Sequence, residues 1–177
     1  MFKPTTILGC FLGLVLLAPQ CFAQITSKRL LTDILRQTPA AELVPHGMPM
    51  RIAEHVAKQR SDAFVLWGVG ESMQPLYAHG TAVVVASHDY EKLKKGMTVV
   101  YLNAAGMRVA HCIVGETRGG YLMQGVNNVK PDPTLLTPEN FMGVVVEAYA
   151  STGTDFRDAA LASLNAKQRA RVAALTR

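Results

Sequence analysis

The chain has 177 residues, 49% hydrophobic and 18% charged, which fits a single globular domain with one sizeable core. Its formal charge of +5 is concentrated late. Arg157, Lys167, Arg169, Arg171 and Arg177 stand against only Asp155 and Asp158, which argues against a basic nucleic-acid groove across the domain, and no nucleic-acid partner is expected.

Residues 1–23 read as an export signal. Lys3 supplies a positive start, residues 7–18 an apolar core of twelve, and Pro19 breaks the helix before Cys21-Phe22-Ala23. Twelve residues of helix rise only about 18 Å against about 30 Å of bilayer hydrocarbon, which favours a cleaved signal peptide. Counting on to Phe22 keeps a short retained anchor as the alternative. Cys10 and Cys21 both lie in this segment. Its removal would leave Cys112 alone, with no internal disulfide and no cysteine metal cluster.

Residues 24–61 are expected to form a helical N-terminal segment. A short amphipathic helix is predicted over 25–37, capped by Ser27, striped by Leu30, Leu31, Ile34 and Leu35, and ended by Pro39. Residues 45–49 are a loop, and a second helix is predicted over 51–60 with Ile52 and Val56 on one face. His46 and His55 match no metal-ligand spacing and read as solvated; no metal or other cofactor is expected.

Over 62–150 the pattern becomes mainly β. Strands are predicted at 63–67, 82–86, 98–102, 107–114, 120–124 and 143–149, separated by Gly, Asn, Asp and Pro. Tight hairpins are expected at 103–106 and 117–120. The first strand feeds Gly68-Val69-Gly70-Glu71-Ser72-Met73-Gln74-Pro75, where a glycine turn lifts the Ser72 hydroxyl clear of the sheet.

In the strand 107–114, alternation places Met107, Val109, His111 and Ile113 on one face. His111 in that apolar row is a core histidine or a general base, since burial disfavours the imidazolium and leaves a neutral ring able to take a serine proton. The following loop, residues 125–133, carries Asp132 between Pro131 and Pro133, which narrow its backbone freedom. Asp132 is a solvated loop acid or the carboxylate that orients His111. Residues 151–177 are predicted to form a basic amphipathic helix, docked on the domain or meeting a membrane surface or partner.

Taken together, Ser72-Met73-x-Pro75, the turns at Gly80 and Gly96, the strand around His111, Gly125-x-Asn127-Asn128-x-x-x-Asp132 and the Gly143 strand resemble the LexA/signal-peptidase-like serine peptidase superfamily. The resemblance runs in order from Ser72 to Glu147 and is nearest to the Ser-His-Asp signal peptidases of archaeal and endoplasmic-reticulum type. It implies a mainly β catalytic domain with short N-terminal helices and a C-terminal helix. It also implies Ser72 as nucleophile and oxyanion-hole amide donor, His111 as base and Asp132 as orienter, with Gly70, Met73, Pro75, Gly125, Asn127 and Asn128 as supporting motif residues.

LexA-like members resemble a Ser-Lys dyad at the position of His111, but no lysine occurs between Lys95 and Lys130. Other departures are Thr81, Met97 and Val126 where the family usually has Asp, Cys112 where an Arg is common, and Gly70 where many signal peptidases place a Ser that helps the oxyanion hole. The implied activity is hydrolysis of an extended precursor peptide by an exported, periplasmic or extracytoplasmic enzyme, with residues 64–67 as core strand or as a contact to the membrane surface. The alternatives are a regulatory peptidase dedicated to one partner or to itself, and an inactive binding module of the same fold.

Overall fold

Runs of β-branched residues separated by turn formers build a sheet in the computed structural model, which describes residues 28–152. The elements in chain order are α1 (Lys28–Gln37), β1 (Ala41–Val44), α2 (Pro49–Lys58), β2 (Ala63–Trp67), β3 (Ala82–Ala86), a 3₁₀ turn (Tyr90–Lys92), β4 (Thr98–Leu102), β5 (Arg108–Thr117), β6 (Gly120–Gln124) and β7 (Phe141–Ser151). The fold is therefore mainly β, with two helices among the described residues. The predicted signal segment lies outside those residues, and so does the predicted C-terminal helix from residue 153 on; Ser151, where that helix is expected to start, is the last residue of β7.

One seven-stranded sheet runs in the order β2-β3-β7-β4-β5-β6, antiparallel at every step of that path. β7 is long enough to serve two neighbours on one edge: β4 pairs with its first half and β1 runs parallel to its last residues, Ala41 opposite Ala148 through Val44 opposite Ser151. Four antiparallel steps separate β2 from β5, so these two strands point the same way.

The sheet is covered on both faces. On one, Ile34 of α1 meets Met73, Tyr77, Val83, Val85 and Val145, with Cys112 buried among them. On the other, α2 covers Ala82, Val84 and Tyr149, while Leu93 and Leu136 cover Val99, Ile113 and Met123. Val84 and Val85 thus feed opposite layers, the alternation that a strand buried on both faces requires.

The strands predicted at 63–67, 82–86, 98–102 and 120–124 keep those limits, whereas β5 and β7 run longer than predicted. β5 continues past Gly115 because a register shift between Ile113 and Gly115 absorbs the irregularity and lets the pairing with β6 resume. Met107 precedes the strand and is exposed rather than part of the apolar row. The second helix begins at Pro49, two residues earlier than predicted, with proline in the first turn where its missing N–H is no loss. No helix among the described residues is long and apolar enough to cross a membrane.

Candidate active site

The chain leaves β2 at Trp67 and returns into β3 at Ala82, and the mouth of this excursion is closed by Gly68 N–H donating to Thr81 O (2.8 Å) and Gly80 N–H donating to Gly68 O (2.9 Å). Within it, Gln74 N–H bonds Glu71 O and Tyr77 N–H bonds Met73 O, winding residues 71–77 into a tight turn that includes a cis Gln74–Pro75 bond. Met73 and Tyr77 drive one side of the turn into the core against Ile34, and the Tyr77 hydroxyl donates to Pro39 O at 2.7 Å. Ser72 is left on the other side. Gly70 has φ +100° with nothing near a hypothetical Cβ, so backbone conformation rather than crowding disfavours the serine that many signal peptidases carry there.

β5 brings His111 to this turn. It pairs with Val99 of β4 and is 7% exposed. Its Nε2 lies 2.8 Å from Ser72 Oγ and its Nδ1 lies 2.5 Å from Asp132 Oδ2. Ionised, the carboxylate only accepts, so Nδ1 carries the proton and Nε2 is free to accept from the serine hydroxyl. Asp132 is itself held twice: its backbone N–H donates to Met123 O of β6 at 2.7 Å, and the Tyr101 hydroxyl donates to the same Oδ2 at 2.7 Å. Burial, and then the bond to Asp132, push the Tyr101 phenol well above its ordinary range, which keeps it a donor.

The loop after β6 holds Ser72 through its backbone. Asn127 N–H donates to Ser72 O at 2.7 Å and Asn127 Nδ2 donates to Glu71 O at 3.1 Å. Asn128 N–H bonds Gly125 O, and Gln124 Nε2 bonds Asn128 O, which closes the loop on itself. Gly125 is required by close approach. A Cβ there would stand 2.6 Å from Ser72 O and 2.9 Å from Ser72 Cβ.

Ser72 and His111 open onto a cleft of about 380 Å³ whose walls are the ends of β2 and β5 and whose floor includes Met73, Tyr77, Ala78 and Val83. The Ser72 amide has no acceptor among the described residues. Such an arrangement can move a proton from hydroxyl to imidazole and offer an amide donor beside the oxygen that attacks. Thr81, where the family usually has Asp, is 1% exposed and its hydroxyl has no partner among the described residues.

The structure thus brings Ser72, His111 and Asp132 into one hydrogen-bonded line, with Gly70 and Met73 lining the same cleft and Gly125, Asn127 and Asn128 in the loop packed against Ser72, whereas Pro75 is exposed. Lys94, Lys95 and Lys130 are exposed and do not line the cleft. Nothing in the sequence marks Tyr101 as a site residue. It reads as one more apolar member of Thr98-Val99-Val100-Tyr101-Leu102, and its partner lies 31 positions away.

A mainly β sheet with a serine turn, a strand-borne imidazole and a loop carboxylate beside one cleft defines a serine-peptidase-like fold of the LexA/signal-peptidase kind. The Peptidase S24-like family model matches residues 37–146, well over half of the chain, and the chain belongs to that family. No curated protein matches it.

Proposed function

We propose that this protein is an exported serine endopeptidase of signal-peptidase type, which cleaves an extended precursor peptide through an acyl-enzyme using Ser72, His111 and Asp132. The observation that carries this is the unbroken line Asp132 Oδ2, His111 Nδ1 and Nε2, Ser72 Oγ, ending at the cleft. Ser72 Oγ attacks the scissile carbonyl carbon while His111 Nε2 takes the hydroxyl proton. Asp132 offsets the charge of the imidazolium, and the Ser72 amide faces the oxyanion. Collapse of the tetrahedral intermediate breaks the C–N bond as His111 returns the proton to the leaving amine. Water then attacks the ester by the same proton path and frees Ser72.

The histidine with its own carboxylate supports the Ser-His-Asp branch over the Ser-Lys dyad of LexA-like members. The cleft supports an extended substrate. β2 is paired only with β3, and residues 108–110 of β5 only with β4 among the described residues, so two free strand edges border the cleft. A peptide strand laid there gains backbone hydrogen bonds from those edges. Trp67, 42% exposed, and Val69, exposed beside it, rim the cleft and support contact with a membrane surface. The export signal read in residues 1–23 supports an extracytoplasmic location.

A fluorophosphonate probe tests the nucleophile without knowledge of the substrate. Wild-type protein is expected to take up one probe molecule on Ser72, with Ser72→Ala unlabelled and His111→Ala labelled at a small fraction of the wild-type rate. Labelling of Ser72→Ala equal to wild type would refute the assignment.

A further inference from the structure

The walls of the cleft are apolar with one fixed charge. Arg108, the first residue of β5, projects its guanidinium over the Phe64 ring of β2, 5.9 Å from the centroid. No carboxylate lines the cleft, and Arg108 has no ion-pair partner among the described residues. A ring face attracts a cation but accepts no strong hydrogen bond, so the five N–H donors of the guanidinium are left to water.

Strand register says which part of a substrate would meet this group. Phe64, Leu66 and Ala110 pack on the same core layer as Met73 and Tyr77, and alternation puts Arg108 on the face of Ala110. β2 and β5 point the same way, and the contact between Phe64 and Arg108 sets them side by side, which brings Leu66 level with Ala110. Along one face of a strand, successive side chains stand about 6.6 Å apart. A bound peptide strand therefore sends one side chain toward Leu66 and Ala110, next to His111, and the side chain two residues along toward Phe64 and Arg108.

We propose that Arg108, backed by Phe64, is the subsite for an acidic side chain of the substrate, two residues along from the residue seated beside Ser72. The proposal rests on the peptidase reading above. A carboxylate fits the planar fork of the guanidinium with two parallel hydrogen bonds, and the bound strand displaces the water that otherwise solvates both charges. Phe64 holds the fork at the cleft while the site is empty and packs against the stem of the acid when it is filled.

The test is a short-peptide library, with each position varied through Asp, Glu, Asn, Gln, Lys and Arg, presented to the full-length protein in detergent. Cleavage is read by mass spectrometry, and binding of the same peptides to Ser72→Ala by fluorescence polarisation. The expected result is a preference of about tenfold for Asp or Glu at one position two residues from the residue beside the cut, in both cleavage and binding. Arg108→Glu, on an exposed position, is expected to reverse that preference to Lys or Arg. Cleavage without any acidic preference, or a preference that survives Arg108→Glu, would overturn the subsite and leave the peptidase intact. Acid-selective binding to Ser72→Ala without cleavage by wild type would keep the subsite and remove the peptidase. Neither binding nor cleavage would overturn both.

Discussion

Gly125→Ala is the smallest change that presses directly on the nucleophile. The added methyl would stand 2.6 Å from Ser72 O, 2.9 Å from Ser72 Cβ and 3.0 Å from Asn128 Nδ2, where ordinary contacts lie at 3.4–4 Å. The nearest two atoms belong to one residue, so relief requires Ser72 to move by about half an ångström or more relative to the loop. The loop cannot yield freely, because Asn127 N–H and Nδ2 tie it to Ser72 O and Glu71 O, and Asp132 further along is tied to Met123. A shift of that size takes the 2.8 Å contact from Ser72 Oγ to His111 Nε2 to the edge of hydrogen-bond range. If 1 Å of misplacement costs about a hundredfold, half of that costs roughly tenfold in kcat. Overpacking should also lower stability by about 1–3 kcal/mol, or a few degrees in Tm. Turnover and fluorophosphonate labelling rate, measured well below the Tm of the variant, separate the two effects. Wild-type labelling and turnover in Gly125→Ala would refute the claim that this loop sets the position of Ser72.

Three other outcomes follow from named contacts. Tyr101→Phe removes one of the two donors to Asp132 Oδ2 and is expected to lower kcat about tenfold, as loss of a hydrogen bond to a charged acceptor implies, while circular dichroism stays native; an unchanged kcat would show that Asp132 needs no second restraint. Thr81→Val deletes a buried hydroxyl that has no partner among the described residues, so a stability gain of about 1 kcal/mol is expected in denaturant titration, and a loss of that size would mean the hydroxyl is satisfied in solution. Burial pushes the Cys112 thiol from an ordinary 9.0 up to about 11, so the native state resists ionisation and this contribution to stability is present below pH 9 and lost as pH rises to about 11. Alkaline unfolding monitored by fluorescence should accordingly be shallower in Cys112→Ala than in wild type; equal slopes would contradict the buried placement.

How much of this was legible in the sequence depended on the range over which each signal acts. Ser72, His111 and Asp132 could be picked out because a glycine turn, a strand alternation and a proline-flanked acid are each local, and because their order along the chain resembles a family. β1 carried no comparable signal: Ala41-Glu42-Leu43-Val44 is four residues long, two of them exposed, and it exists as a strand only through its parallel pairing with Ala148 to Ser151 at the far end of the domain. Tyr101 was hidden for a similar reason, since burial and hydroxyl chemistry are separate properties and only tertiary structure reveals which one a strand tyrosine uses. The start of α2 is legible too, since Pro49 in the first turn is a helix-start signal rather than part of the preceding loop. Gly125 was recognised as a motif glycine, but its reason, the approach of Ser72, depends on a residue 53 positions earlier.

The most direct test of the central claim is cleavage of a precursor-peptide library by the full-length protein in detergent, with Ser72→Ala, His111→Ala and Asp132→Asn run beside it. The account predicts that wild type cuts, that Ser72→Ala and His111→Ala do not, and that Asp132→Asn remains folded but loses about a thousandfold to ten-thousandfold in kcat. Cleavage by Ser72→Ala at the wild-type rate, or undiminished turnover in Asp132→Asn, would contradict it.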